Sequence, residues 1–186
     1  MSEGPKGQMS HGIKILGATA LCLISLPVHG SVDVERAVES FHSTCLAQGP
    51  DFDRTTAAAS RLGWAPMAED AFAKLAPLDN PQAMRGWRAK GDAMPAGTLV
   101  GVTKATLNGK AVQTCTVVIG DIHVESFLKS FFTRTDAEKI SEERSAMQVS
   151  RLYILIAGDR KQFVNLKFPA ATEEEGVIVA SSIAEE

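Results

Sequence analysis

Two apolar-rich runs, Leu99 to Leu107 and Lys110 to Ile119, are separated only by Asn108-Gly109, and this spacing constrains the chain more than any other feature. Asn-Gly accepts positive φ at both central positions of a two-residue turn, which lets two twisted strands pair without splaying. A β-hairpin is predicted. With Leu107 opposite Lys110, Val102 falls opposite Cys115 and Val100 opposite Val117, all on one side of the ladder. Cys115 therefore points into the core.

A second cysteine has a matching position. From Val34 the apolar residues Val34, Ala37, Val38, Phe41 and Cys45 recur at helical spacing, while Glu35, Arg36, Glu39 and Ser43 fall elsewhere around the axis. This predicts an amphipathic helix with Cys45 on its buried stripe. The third cysteine of the chain, Cys22, lies in an N-terminal segment that reads as a sorting signal. Lys14 precedes an uncharged apolar run from Ile15 to Val28, and Val28 and Gly30 place small residues at the -3 and -1 positions of a cut before Ser31. At about 1.5 Å per residue the run spans about 21 Å, short of a ~30 Å hydrocarbon core. Residues 1–30 are accordingly expected to be a cleaved signal peptide, with translation starting at Met1 or Met9, and residues 31–186 to form a single domain. Leu21 before Cys22 speaks against a lipid anchor there. Cleavage leaves Cys45 and Cys115 as an even pair, which an oxidising compartment joins into a disulfide. A bridge closing about seventy residues stabilises by roughly 4 kcal/mol in the chain-entropy treatment.

Around these anchors the organisation reads as α+β: an N-terminal helical hairpin packed on an antiparallel sheet of about four to five strands, with one further helix between two β-hairpins. Gly49 and Pro50 end the first helix, Asp51 or Asp53 caps a second, and Gly63 stops it before Trp64. Residues 66–75 suggest another short helix. Pro77, Asn80, Pro81, Gly86, Gly91, Pro95 and Gly97 then punctuate a loop carrying Trp87. Asp121 is expected to cap a helix with a Val124, Phe127, Leu128 and Phe131 stripe, which the charged stretch from Arg134 to Arg144 continues or leaves. Gln148 to Ala157, Gln162 to Phe168 and Gly176 to Ile183 read as strands.

Composition excludes several function classes. Of the 186 residues, 45% are hydrophobic and 22% charged, with a net charge of -3, so the chain is neither disordered nor a polyanion binder, and nucleic acid is not an expected partner. No CxxC, HExxH, P-loop, dinucleotide fingerprint or GxSxG elbow occurs, and no cofactor is implied. Glu39, His42 and Cys45 share one helical face, but a metal needs three or four converging ligands and an oxidised Cys45 offers no thiolate, so no metal site is expected. His123 or His42 with carboxylates is the only arrangement suggesting general-base chemistry. Arg85, Trp87, Arg88 and Lys90 form the candidate ligand-binding cluster, where charge and stacking would hold a carboxylate, glycan or phospholipid head group. The competing reading is a solvated basic loop whose Trp packs on the core edge.

The layout is similar to that of small exported bacterial proteins, and this implies a compartment only. Three expectations follow. The first is a periplasmic or secreted, non-catalytic binding or envelope-associated module, partnered by a protein or an envelope component and without a stable membrane span after cleavage. The second is a hydrolase-type enzyme using His123 or His42. The third is an inhibitor or chaperone-like protein that docks through sheet edges.

Overall fold

The computed structural model describes Met1 and residues 29–186. The expected leader lies outside the described residues except for Met1 and its last two positions, which open helix α1 (His29–Phe41). A π-helical turn (His42–Leu46) continues α1, followed by α2 (Phe52–Arg61), β1 (Ala65–Pro66), α3 (Glu69–Ala73), β2 (Ala83–Arg88), β3 (Leu99–Leu107), β4 (Lys110–His123), α4 (Val124–Arg134), β5 (Glu138–Arg144), β6 (Gln148–Ala157), β7 (Arg160–Pro169) and β8 (Glu175–Glu185). All eight strands form one antiparallel sheet in the order β1-β2-β3-β4-β8-β7-β6-β5. Two four-stranded meanders thus run outward from the central β4–β8 pair.

The β3–β4 hairpin has the register that Asn108-Gly109 dictates, with Val102 opposite Cys115 and Val100 opposite Val117. Asn108 and Gly109 both have positive φ, as a type I′ turn requires. One face of the sheet, the inner face, gathers Val100, Val102, Val117, Val164, Leu166 and Phe168 into a single apolar cluster with Phe41, Phe127 and Phe131 from the helices. Alternation of side chains along each strand explains this: residues two apart share a face, and cross-strand partners share it too.

Several expectations need correction. The predicted helical hairpin on a small sheet does not exist. α1 packs chiefly against α4 and β4, and α2 against β3 and β4, so both lie as separate struts on an eight-stranded sheet. The Trp87 segment is strand β2, paired with β3 from Ala83↔Lys104 to Arg88↔Leu99, and not a loop. The charged stretch after Arg134 is edge strand β5, and not helix. Asp121 does not cap α4. It has φ of 53° beside an irregularity in the β4–β8 ladder, and His123 occupies the N-cap instead.

The outer face is partly covered by the segment 67–82. Its anchor is Phe72, fully buried over Gly86 and Gly101, which are register partners on β2 and β3. A Cβ at Gly101 would stand 1.8 Å from Phe72 Cζ, and one at Gly86 2.9 Å from its Cγ. Glycine at both positions makes the flat seat that the ring fills. Next to it the buried hydroxyls of Thr103 and Thr114 bond each other at 2.7 Å, and those of Thr116 and Ser181 at 2.8 Å. Each pairing gives both buried hydroxyl oxygens a hydrogen-bond partner.

Gly101→Ala should therefore force Phe72 to shift within its seat and lower stability by about 1–3 kcal/mol, an overpacking cost. Phe72→Ala should lose about 3–5 kcal/mol. In the double variant the two losses should be strongly non-additive in urea unfolding, because removal of the ring leaves room for the new methyl. Simple addition would show that the ring does not occupy that seat.

Candidate functional site

Cys45 and Cys115 are joined, with Cα atoms 5.3 Å apart across 70 residues of sequence, and both are fully buried. The π-helical turn contributes the Cys45 side of this link. Widening the last turn closes the Ala47 N–H onto the His42 carbonyl at 2.9 Å. The end of that turn is held by Gln162, itself fully buried. Its Nε2 donates to the Leu46 carbonyl at 2.9 Å and to the Ala157 carbonyl at 3.2 Å, and its Oε1 accepts from Ser182 Oγ at 2.6 Å. One amide thereby ties the turn, β6, β7 and β8 together, with both its N–H donors and its oxygen engaged.

Structure places the Arg85, Trp87, Arg88 and Lys90 group as follows. Trp87 is 7% exposed and belongs to the main apolar cluster, while Arg85 and Arg88 are exposed on opposite faces of β2. Lys90 lends its carbonyl to the Trp64 indole N–H at 3.1 Å. It lines an open depression of about 660 Å³ with Arg36, Asp92 and Met94, and Trp87 is not among the lining residues. The guanidinium groups and the indole do not share an exposed surface.

The two histidines are also separated. His123 Nδ1 accepts from the Ser126 N–H at 3.4 Å and contacts Ser126 Oγ at 3.1 Å, which is the work of a helix cap. His42 is half-buried and lines a cavity of about 360 Å³ with Arg134, Asp136, Leu155 and Gly158. Among the described residues its ring has no hydrogen-bond partner, and no group of three or more His, Cys, Asp or Glu is arranged to hold a metal. Glu39 turns away from His42 to Arg134 at 2.6 Å.

Arg134 is the hub of an α1–α4 clamp. Its guanidinium reaches Glu35 at 2.5 Å and Glu39 at 2.6 Å, and Ser130 Oγ donates to Glu35 at 2.9 Å. The Arg134 hydrogen bond, then the Ser130 hydroxyl, hold the Glu35 carboxyl below its ordinary value. On the sheet, Arg151 does the same for Glu142 at 2.8 Å. Burial pushes the Tyr153 phenol up.

Among the described residues, a further surface groove lies where the sequence reading named no site. On the outer face, at the end of the sheet where the β3–β4 and β6–β7 turns lie, a groove of about 520 Å³ has Leu107, Val112, Phe163 and Ile183 as its floor. Lys110, Arg160 and Lys161 stand around it with Glu185. The signal was present in the sequence: Lys110 follows Asn108-Gly109, and Arg160-Lys161 follows Gly158-Asp159. What was not legible is that β8 intervenes between β4 and β7 and supplies Ile183 to the floor.

No known family model, curated protein or solved structure matches this chain.

The depressed acidity of Glu35 gives a pH prediction. A carboxylate with a lowered folded-state value contributes stability above its unfolded value, and that contribution drains away as pH falls through the folded-state value. Glu35→Gln should be less stable than the parent at neutral pH, and the two urea midpoints should converge in acid below the ordinary carboxylate value of 4.5. A gap of constant size at every pH would contradict the Arg134 pairing.

Proposed function

We propose that the chain is an exported, non-catalytic binding module acting in the periplasm or outside a bacterial cell, with a protein or another envelope component as its partner. The observation that carries this reading is the Cys45–Cys115 bond, both sulfurs fully buried. Disulfides persist where thiols are not kept reduced, and structural ones belong to secreted and periplasmic domains. No helix among the described residues is long and apolar enough to cross a membrane. The proposed leader, residues 1–30, supplies the route out of the cytosol.

Local roles of the candidate residues favour binding over catalysis. His123 is engaged as a cap, Cys45 is consumed in the bridge, and Glu39 is paired with Arg134. General-base chemistry needs an imidazole oriented by a partner, and the described residues give His42 none. Docking through a sheet edge is weakly supported. One edge, β1, has only two residues. The other, β5, is fully exposed, rich in Glu, Lys and Arg, and carries a register shift between Lys139 and Ser141. Charged side chains and bulges are the devices by which proteins keep edges from recruiting strands.

Alkylation of the native protein recovered from a periplasmic or culture fraction tests the reading. In denaturant without reductant neither Cys45 nor Cys115 should accept label, and both should accept it once reductant is added. Labelling before reduction, or recovery of the protein only from the cytosol, overturns export. A Cys45→Ala, Cys115→Ala variant should lose roughly 4 kcal/mol, the loop-closure contribution of a bridge this wide.

A further inference from the structure

The geometry points to the outer-face groove as a site for an amphiphilic anion, a single-chain fatty carboxylate. This rests on the binding-module reading and names its ligand class. Small-molecule sites occupy about 300–1,000 Å³, are mostly apolar, and carry a few polar groups that fix orientation. The groove holds about 520 Å³ and meets each condition.

Its floor is built by register. Phe163 pairs with Ile183 across β7–β8, and Val112 pairs with Ala105 across β3–β4. Ala105, Val112 and Ile183 are buried and form an apolar cluster of their own with Leu78 and Phe163, apart from the main core. Leu107, 37% exposed, extends this surface to the solvent edge. An alkyl chain laid here removes apolar area from water along its own length and at the exposed Leu107 and half-buried Phe163, with Val112 and Ile183 already buried beneath them.

Charge then selects the head group. Three cations line the groove against one carboxylate, Glu185. Lys110 holds that carboxylate at 2.6 Å, and an Arg160 N–H donates to the Glu185 backbone carbonyl. Lys161 has no ion pair among the described residues, and its Nζ sits 5.8 Å from the Phe163 ring centre. The unpaired ammonium is therefore placed directly above the apolar floor. On its other side Lys161 borders a second depression of about 480 Å³ with Asp136 and Glu138. Those carboxylates repel an anion there, so a carboxylate head is accommodated on the groove side with its chain on Phe163 and Ile183. A cationic amphiphile finds the opposite arrangement.

Calorimetric titration of the full, oxidised protein with dodecanoate below its micelle concentration tests this, with butyrate and dodecyltrimethylammonium as comparison probes. Dodecanoate should bind one per chain, butyrate should not bind detectably, and the cationic chain should bind at least about tenfold more weakly, the worth of one charge-assisted contact. Lys161→Gln and Leu107→Gln, both at exposed positions, should each weaken dodecanoate by about tenfold without changing the thermal midpoint. No dodecanoate binding, equal binding of the cationic chain, or unchanged affinity in both variants overturns the assignment. Failure of the titration in a protein whose cysteines resist alkylation removes the ligand class and leaves the exported module. Labelled thiols together with the expected dodecanoate pattern support the groove and remove export.

Discussion

The ladder between β4 and β8, running from Val112↔Glu185 to Ile119↔Ile178, joins residues 59 to 73 apart in sequence. Each meander is otherwise local: β1 to β4 and β5 to β8 pair only with sequence neighbours. Without the β4–β8 pair, each would be a small sheet with one apolar face and nothing large enough to cover it. With it, the inner face becomes continuous, and α1 and α4 can lie across both halves as one cover. α4 is also the link that carries the chain from β4 to β5, so the cover and the crossover are the same element. The disulfide reinforces this centre, since Cys115 lies opposite Ser182 within the β4–β8 ladder. Ser182 in turn reaches Gln162, which grips the π-helical turn bearing Cys45. Covalent and hydrogen-bonded routes from that turn thus converge on one position of the central ladder.

What was legible in the sequence follows from how locally each feature is determined. The β3–β4 register, the burial of Cys115, the Val34 to Cys45 stripe and the strands at Gln148, Gln162 and Gly176 are set by neighbouring residues, and the structure has them. β2 and β5 are not. Ala83–Arg88 contains Gly86 and two arginines, and Glu138–Arg144 is made mostly of residues that favour helices. Each is a strand because a strong neighbour, β3 or β6, offers it a row of free backbone groups, and strand preference depends on such context more than helix preference does. Gly86 looked like loop punctuation and Gly101 was simply part of a predicted strand, whereas together they form the seat of a ring contributed from a third segment. Nothing local to either glycine encodes that.

The candidate cluster around Trp87 illustrates the same limit from the side of function. Neighbours in sequence share a surface in a loop, but in a strand they alternate. Once Ala83–Arg88 pairs with β3, Trp87 must turn inward beside Val100 and Arg88 must turn the other way. Assigning a strand therefore dissolves a cluster that only a loop would present. The groove arises by the converse effect, because residues remote in sequence are collected by sheet order.

The position of that groove follows from how far the outer cover reaches. Segment 67–82 crosses from β2, where Phe72 is seated, to the region of Ala105, Val112 and Ile183, where Leu78 is its last apolar contact. Asn80, with φ of 52°, and Pro81 then reverse the chain, and the Gln82 N–H returns to the Lys104 carbonyl at 2.8 Å. The cover therefore stops over β8. Beyond it, Phe163 is only half-covered and Ile156 is 77% exposed. A sheet face left open for general solvation would replace these residues with polar ones, as it does at Ser150 and Asn165, which bond each other at 3.0 Å. Apolar side chains gathered with Lys110, Arg160 and Lys161 at one end of this face form the pattern expected of the proposed ligand surface.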